Sequence, residues 1–130
     1  MKLGATVLLL FASFSSQGQP QRKQPEAFRL EVVEMKAARA HGQITLDGEV
    51  RNTGTRALTR LVLVFDLLDA DRKPISRRRG PIEEAVLDPG DSSIFHFYVP
   101  DHARAVEVRV AAEHRGLEMN VVKPGPFLIE

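Results

Sequence analysis

The chain has no cysteine and no tryptophan, a single tyrosine, and 18 basic against 17 acidic residues in a length of 130. Each scarcity removes a class of protein. Without cysteine there is no disulfide framework, no thiolate metal site and no lipid-bearing cysteine. With a formal charge of +1, no global field draws the chain to nucleic acid or to an anionic membrane. The longest apolar run, Leu3 to Phe14, falls well short of the roughly 20 residues that span a bilayer. No segment carries a helical apolar stripe. The alanine-rich stretch Met35 to Ala40, closed by His41-Gly42, allows one helical turn at most, and no internal repeat is visible.

What is present begins with Met1-Lys2, the short apolar run, and the small polar exit Ser15-Ser16-Gln17-Gly18. That is the order of a secretory signal peptide, and it predicts a leader over residues 1–18 cut after Gly18. Removing Lys2 leaves 17 basic and 17 acidic residues. Residues 19–27, with Pro20, Pro25, three Gln and several charges, read as a flexible tether. One domain over 28–123 and a tail over 124–130 complete the chain, which is expected to be periplasmic or extracellular, with no membrane span after cleavage.

Within the domain, apolar residues alternate with polar ones at period two. Ile44, Leu46, Gly48 and Val50 alternate with Thr45, Asp47, Glu49 and Arg51. Phe95, Phe97 and Val99 alternate with Ile94, His96 and Tyr98, and Val106, Val108 and Val110 with Glu107, Arg109 and Ala111. Leu61 to Leu68 is the most apolar segment and reads as a central strand with Phe65 in the core. A strand over Leu30 to Met35, a polar one from Ile75 to Arg79 and a weaker one from Ile82 to Leu87 bring the expected count to about seven. A closing piece lies between Leu117 and Ile129. Seven short strands separated by turns imply an all-β, immunoglobulin-like two-sheet sandwich.

Phe65-Asp66-Leu67-Leu68-Asp69, Gly48-Glu49-Val50-Arg51-Asn52 before a turn with Gly54, and Leu87-Asp88-Pro89-Gly90 followed by Phe95 together resemble the FxLYD family of extracytoplasmic, immunoglobulin-like β-sandwich domains. The similarity runs from about Ile44 to Val110. Leu68 replaces the family's tyrosine, and Arg72 with Pro74 fills a hairpin that usually has a glycine and a β-branched residue, so the strand pair there is expected to be bulged or shortened. The resemblance implies a fold and an exported location. It implies no catalytic residues.

Candidate chemistry is sparse. Asp66, Asp69 and Asp71 offer oxygen ligands near a turn, but a calcium loop starting at Asp69 would have Lys73, Pro74 and Gly80 at its fifth, sixth and twelfth positions. Turn-capping by Asp69 and Asp71 is the expectation, and no metal is assigned. His41, His96, His102 and His114 never occur at metal-ligand spacing, and no G-x-S-x-G elbow or phosphate-cradling loop is present. The chain is expected to be non-catalytic and free of cofactors.

Two surfaces compete as binding sites. Arg72, Lys73, Arg77, Arg78 and Arg79 form a basic cluster, read either as an anion clamp or as a charged edge strand that blocks sheet-to-sheet pairing, with Glu83 and Glu84 offsetting it. Val62, Val64, Leu68, Ile94, His96, Tyr98, Arg109 and Ala111 fall on the outward parity of strands that an immunoglobulin-like order makes neighbours. They describe an apolar face for a protein partner, or one covered by Leu117, Met119, Phe127, Leu128 and Ile129 of this chain. The expected role is a protein-binding accessory or scaffold module of the bacterial cell envelope, a monomer or weak oligomer whose partner is another envelope protein. The alternative is a structural or stress-related envelope protein without a specific partner.

Overall fold

A computed structural model describes residues 26–130. The leader and residues 19–25 of the expected tether lie outside the described residues. Glu26 and Ala27 do not behave as tether: their carbonyls accept hydrogen bonds from the N–H groups of Thr55 and Arg56 at 3.1 to 3.3 Å.

Ten strands and no helix make up the described chain: β1 (Arg29–Ala40), β2 (Gln43–Asn52), β3 (Leu58–Thr59), β4 (Leu61–Leu68), β5 (Pro74–Pro81), β6 (Val86–Leu87), β7 (Ser92–Pro100), β8 (Glu107–His114), β9 (Leu117–Val122) and β10 (Phe127–Leu128). Eight of them form one continuous sheet in the order β5-β4-β8-β9-β1-β2-β7, with β10 added on β8, while β3 and β6 pair separately. The all-β expectation holds. In place of two separate sheets of about seven strands there is one nearly closed, barrel-like sheet. The physical reason is β9, which pairs antiparallel with β8 through Ala112↔Met119 and parallel with β1 through Leu30↔Val121, and so joins what would be two layers.

The segment after Lys123 is built into this closure. Phe127 lies opposite Val108, Ile129 is buried and bridges to Ala37, and Glu130 exchanges main-chain bonds with Ala37 and Arg39 at 2.9 and 3.0 Å. Residues 124–130 are therefore part of the domain. They cover the gap between β8 and the end of β1, not an outer apolar face.

Met35 to Ala40 is strand, not helix, because each residue has a partner on β2, from Met35↔Gly48 to Ala40↔Gln43. A bulge between Val32 and Glu34 explains the irregular apolar pattern here. It leaves Val33 exposed and switches the inward parity from Leu30 and Val32 to Met35 and Ala37. The weak strand expected over Ile82 to Leu87 shrinks to Val86–Leu87, paired with the two-residue β3.

The core is centred on Phe65, 1% exposed, whose ring lies 5.7 Å from Phe95 and 5.5 Å from Phe97 across the interior. Two glycines make room for those rings. A Cβ on Gly48 would come within 2.6 Å of the Phe95 ring and 2.3 Å of the Glu34 carbonyl, and one on Gly80 within 2.6 Å of the Phe97 ring. Phe97 thus lies directly over β5, where the two ends of the sheet approach without being hydrogen-bonded to each other.

The two glycine-containing turn motifs meet at Asn52, a fully buried side chain. Its Nδ2 donates to the carbonyls of Leu87 at 2.8 Å and Arg56 at 3.0 Å, and its Oδ1 accepts from the Gly54 N–H at 2.9 Å. Its carbonyl accepts from the Gly90 N–H at 2.8 Å. Every polar atom of the side chain is satisfied, which is what a buried amide requires.

Candidate functional site

β4 is central, flanked by β5 and β8, and its outward residues form a ladder with theirs. Val64 lies opposite Arg79 and Ala111, Asp66 opposite Arg77 and Arg109, and Val62 opposite Pro81 and Glu113. Arg77 grips Asp66 through two parallel bonds of 2.7 and 2.9 Å, the bidentate geometry that suits a planar guanidinium. That carboxylate pushes the Arg77 guanidinium above its ordinary value. Arg79 reaches Glu113 at 3.2 Å, diagonally across β4 over Val62 and Val64, and Arg72 reaches Glu107 at 3.2 Å beside Leu68.

Both surfaces suggested by the sequence are changed by this ladder. Val64 and Leu68 are only 1% and 0% exposed, although neither belongs to the main core, because long basic stems and their ion pairs lie over the outward face. Three of the five cluster residues, Arg72, Arg77 and Arg79, are already neutralised by carboxylates. Among the described residues, Lys73 and Arg78 make no ion pair, and they stand on a turn and on the opposite parity of β5, in register with Phe65. No concentrated anion site results. β5 pairs with β4 alone and is the last strand of the sheet, so the charged-edge reading describes it. The strand pair is also bulged between Leu67 and Leu68, next to the hairpin with Arg72 and Pro74.

The expected apolar face is divided. β4 and β8 are neighbours, but β7 pairs with β2 at the other end of the sheet and faces β4 across the core. The outward parity of β4, β7 and β8 is as expected; the assumption that β7 neighbours β4 is not. Val62, Val64, Leu68, Arg109 and Ala111 lie on one side of the molecule, under the arginines. Ile94, His96 and Tyr98 lie on another, and there the apolar surface is open: Ile94 is 81% and Tyr98 60% exposed.

β7 is the second edge of the sheet. Its outward side chains lie beside Thr45, Asp47 and Glu49 of β2. His96 Nδ1 is hydrogen-bonded to Asp47, and the His96 ring meets Tyr98 edge-on at 4.7 Å, so both rings are held upright on the surface. Beside them the β1 bulge opens a depression of about 510 Å³ between Met35, Lys36, Asp47, Glu49, Ile94 and His96. The sequence carried no signal for the His96–Asp47 pair, because its partners are 49 residues apart. Among the described residues no hydroxyl is hydrogen-bonded to that pair, so a nucleophile of the Ser-His-Asp kind is not assembled there.

The remaining sequence candidates have structural roles. Asp69 Oδ1 accepts from the N–H groups of Asp71 at 2.8 Å and Lys73 at 2.9 Å, and the Lys73 bond holds its carboxyl below the usual carboxylate value. Asp69 thus caps the turn, while Asp66 belongs to Arg77. His102 Nδ1 accepts from the Arg104 N–H at 3.2 Å, and His41 occupies a left-handed turn position at φ 53°. His114 accepts from the Thr59 N–H at 3.1 Å and stacks on Phe28 at 4.4 Å, tying the start of the domain to the end of β8.

No protein-family model matches this chain, and no curated protein resembles it in sequence. Among solved structures it is similar to IrmA from Escherichia coli, with a TM-score of 0.50 over 82% of this chain and 99% of that one, at 10% identity. At that identity the likeness is one of fold.

Proposed function

We propose that this chain is an exported, non-catalytic binding module of the bacterial cell envelope, an immunoglobulin-like sandwich of FxLYD type whose contact surface is the outer side of β7. The leader-like segment at residues 1–18 supports export. The layer β5-β4-β8 facing β1-β2-β7 across Phe65, Phe95 and Phe97 supports a sandwich derivation, with β9 as the strand that joins the layers.

One observation carries the binding role: Ile94 and Tyr98, 81% and 60% exposed, stand side by side with His96 on an edge strand that has no Lys, Arg, Asp or Glu of its own. Large apolar side chains left open on a sheet edge invite contact with another chain. Aromatic residues of this kind, rigid and amphipathic, are typical anchors of protein interfaces.

The test is a photo-crosslinking residue placed at Tyr98 of the full chain in its native envelope, with a second placed at Arg78 on β5. A saturable adduct with a defined protein from position 98, absent from position 78 and abolished by Ile94→Lys, is the expected result. Equal adducts from both positions, or none, would favour a structural role without a specific partner.

A further inference from the structure

The main-chain phase of β7 decides what its edge can accept. In an antiparallel ladder, residues alternate between exchanging both bonds with the neighbour and pointing both groups away. The Asn52 N–H donates to the Asp91 carbonyl at 2.9 Å and the Asp101 N–H to the Gly42 carbonyl at 3.1 Å, at either end of the β2–β7 pair. These bonds set the phase. Ser93, Phe95, Phe97 and Val99 bond to β2, and Ile94, His96 and Tyr98 aim their N–H and C=O groups at the open edge. The residues with free main-chain groups are the same residues whose side chains stand exposed on the outer face.

We infer that this edge pairs with a second copy of the chain, β7 against β7 in antiparallel order about a two-fold axis beside His96. The inference rests on the reading of β7 as the contact surface and names what occupies it. Under that axis Ile94 lies opposite the partner subunit's Tyr98, Tyr98 opposite the partner's Ile94, and His96 opposite the partner's His96. A β-branched residue facing an aromatic one is a favourable cross-strand pair, and here the two-fold makes it twice. Three facing pairs with two bonds each give about six new main-chain hydrogen bonds.

Charge allows the same conclusion. Ser92 to Pro100 contains no Lys, Arg, Asp or Glu, so the strand itself sets no like charges face to face. Glu84, bonded to Ser93 Oγ, and Glu83, beside Ile94 and His96, border the edge, and the near-zero formal charge of the chain adds no long-range repulsion. β5 could not pair in this way. A second copy would set its Arg77 and Arg79 against another arginine row, and Pro74 and Pro81 bound the strand at both ends. A nine-residue strip is about 30 Å long and one strand wide, which is small beside a standard protein interface. The dimer therefore belongs to the weak, concentration-dependent class.

Sedimentation equilibrium of the full chain between about 10 μM and about 1 mM tests this, since that range brackets weak association. The expected result is a mass rising from monomer toward dimer. His96→Pro removes an N–H that faces the open edge, together with the imidazole that bonds Asp47 and meets Tyr98, leaves the main-chain bonds to β2 in place, and should hold the protein at monomer mass. Ile94→Lys, which places a charge on the edge without touching the backbone, should do the same. A monomer mass at every concentration would overturn the inference, as would a dimer that both variants retain. If the monomeric result came with an intact adduct from position 98, self-pairing would fall while the binding role stood; loss of both would end both.

Discussion

The two ends of the sheet, β5 and β7, face the same physical problem and answer it differently. Each is an edge strand with a row of unpaired main-chain groups. β5 carries Arg77, Arg78 and Arg79, is bounded by Pro74 and Pro81, and is bulged where it leaves β4. β7 is nine residues long and has no Lys, Arg, Asp or Glu of its own, only Glu84 reaching it at Ser93, and it shows Ile94 and Tyr98 to solvent. A chain that protects one edge with charge and leaves the other apolar is treating the two edges as different surfaces. The arginines of β5 do a second job as well: their stems cover Val62 and Val64, which would otherwise be the larger apolar patch.

The deepest way to break the comparison is to remove what holds both edges in place. Phe65 sits under Phe95 and Phe97 of β7, and Phe97 in turn lies on Gly80 of β5. Phe65→Ala should cost roughly 3 to 5 kcal/mol, read as a fall in the midpoint of denaturant unfolding, a large part of a small domain's stability. Asp66→Ala, one residue away on the outer face, should cost far less. Equal losses would mean that the inward and outward faces of β4 are misassigned.

An intermediate test strips the guard from β5. Arg77→Thr with Arg79→Thr removes the pairs with Asp66 and Glu113, which as partly exposed pairs stabilise by about 0 to 1 kcal/mol each. The more telling readout is exposure of Val62 and Val64. The double variant should bind an apolar dye more strongly than the parent and associate through a second edge. If dye binding does not change, the arginine stems are not the cover described above.

The smallest expected effect is at the turn beside β5. The folded carboxyl of Asp69 is held below its ordinary value, chiefly by the Lys73 N–H. Its contribution is therefore present above the unfolded carboxylate value of about 4 and is lost as pH falls through the lower folded value. Melting curves of the parent and of Asp69→Ala should differ slightly near neutral pH and converge in acid. A gap that widens in acid would contradict the assigned sign.

Much of the architecture was legible in the chain because side-chain alternation is a local property. The inward parity of Ile44, Leu46 and Val50, of Phe95, Phe97 and Val99, and of Val108 and Val110 is as expected, as is the burial of Phe65. Where alternation was irregular, in Leu30 to Met35, a bulge accounts for it, and bulges leave little trace in one sequence. β3 and β6, two residues each, are too short to show a period at all. Half of the candidate site was legible: Ile94, His96 and Tyr98 are exposed on one strand, while Val62, Val64 and Leu68 belong elsewhere.

By itself, then, the sequence determined which side of the regularly alternating strands faces the core and that Asn52 and Gly90 belong to turns, because each depends on residues near in the chain. Only the tertiary structure decided which strands are neighbours. Pairings such as Leu30 with Val121 or Leu46 with Phe97 join residues far apart in the chain, and period two constrains the face of a strand but not its partner. The same long-range pairing put β7 beside β2 and not β8, set Glu113 within reach of Arg79, and so hid one apolar face and left the other open.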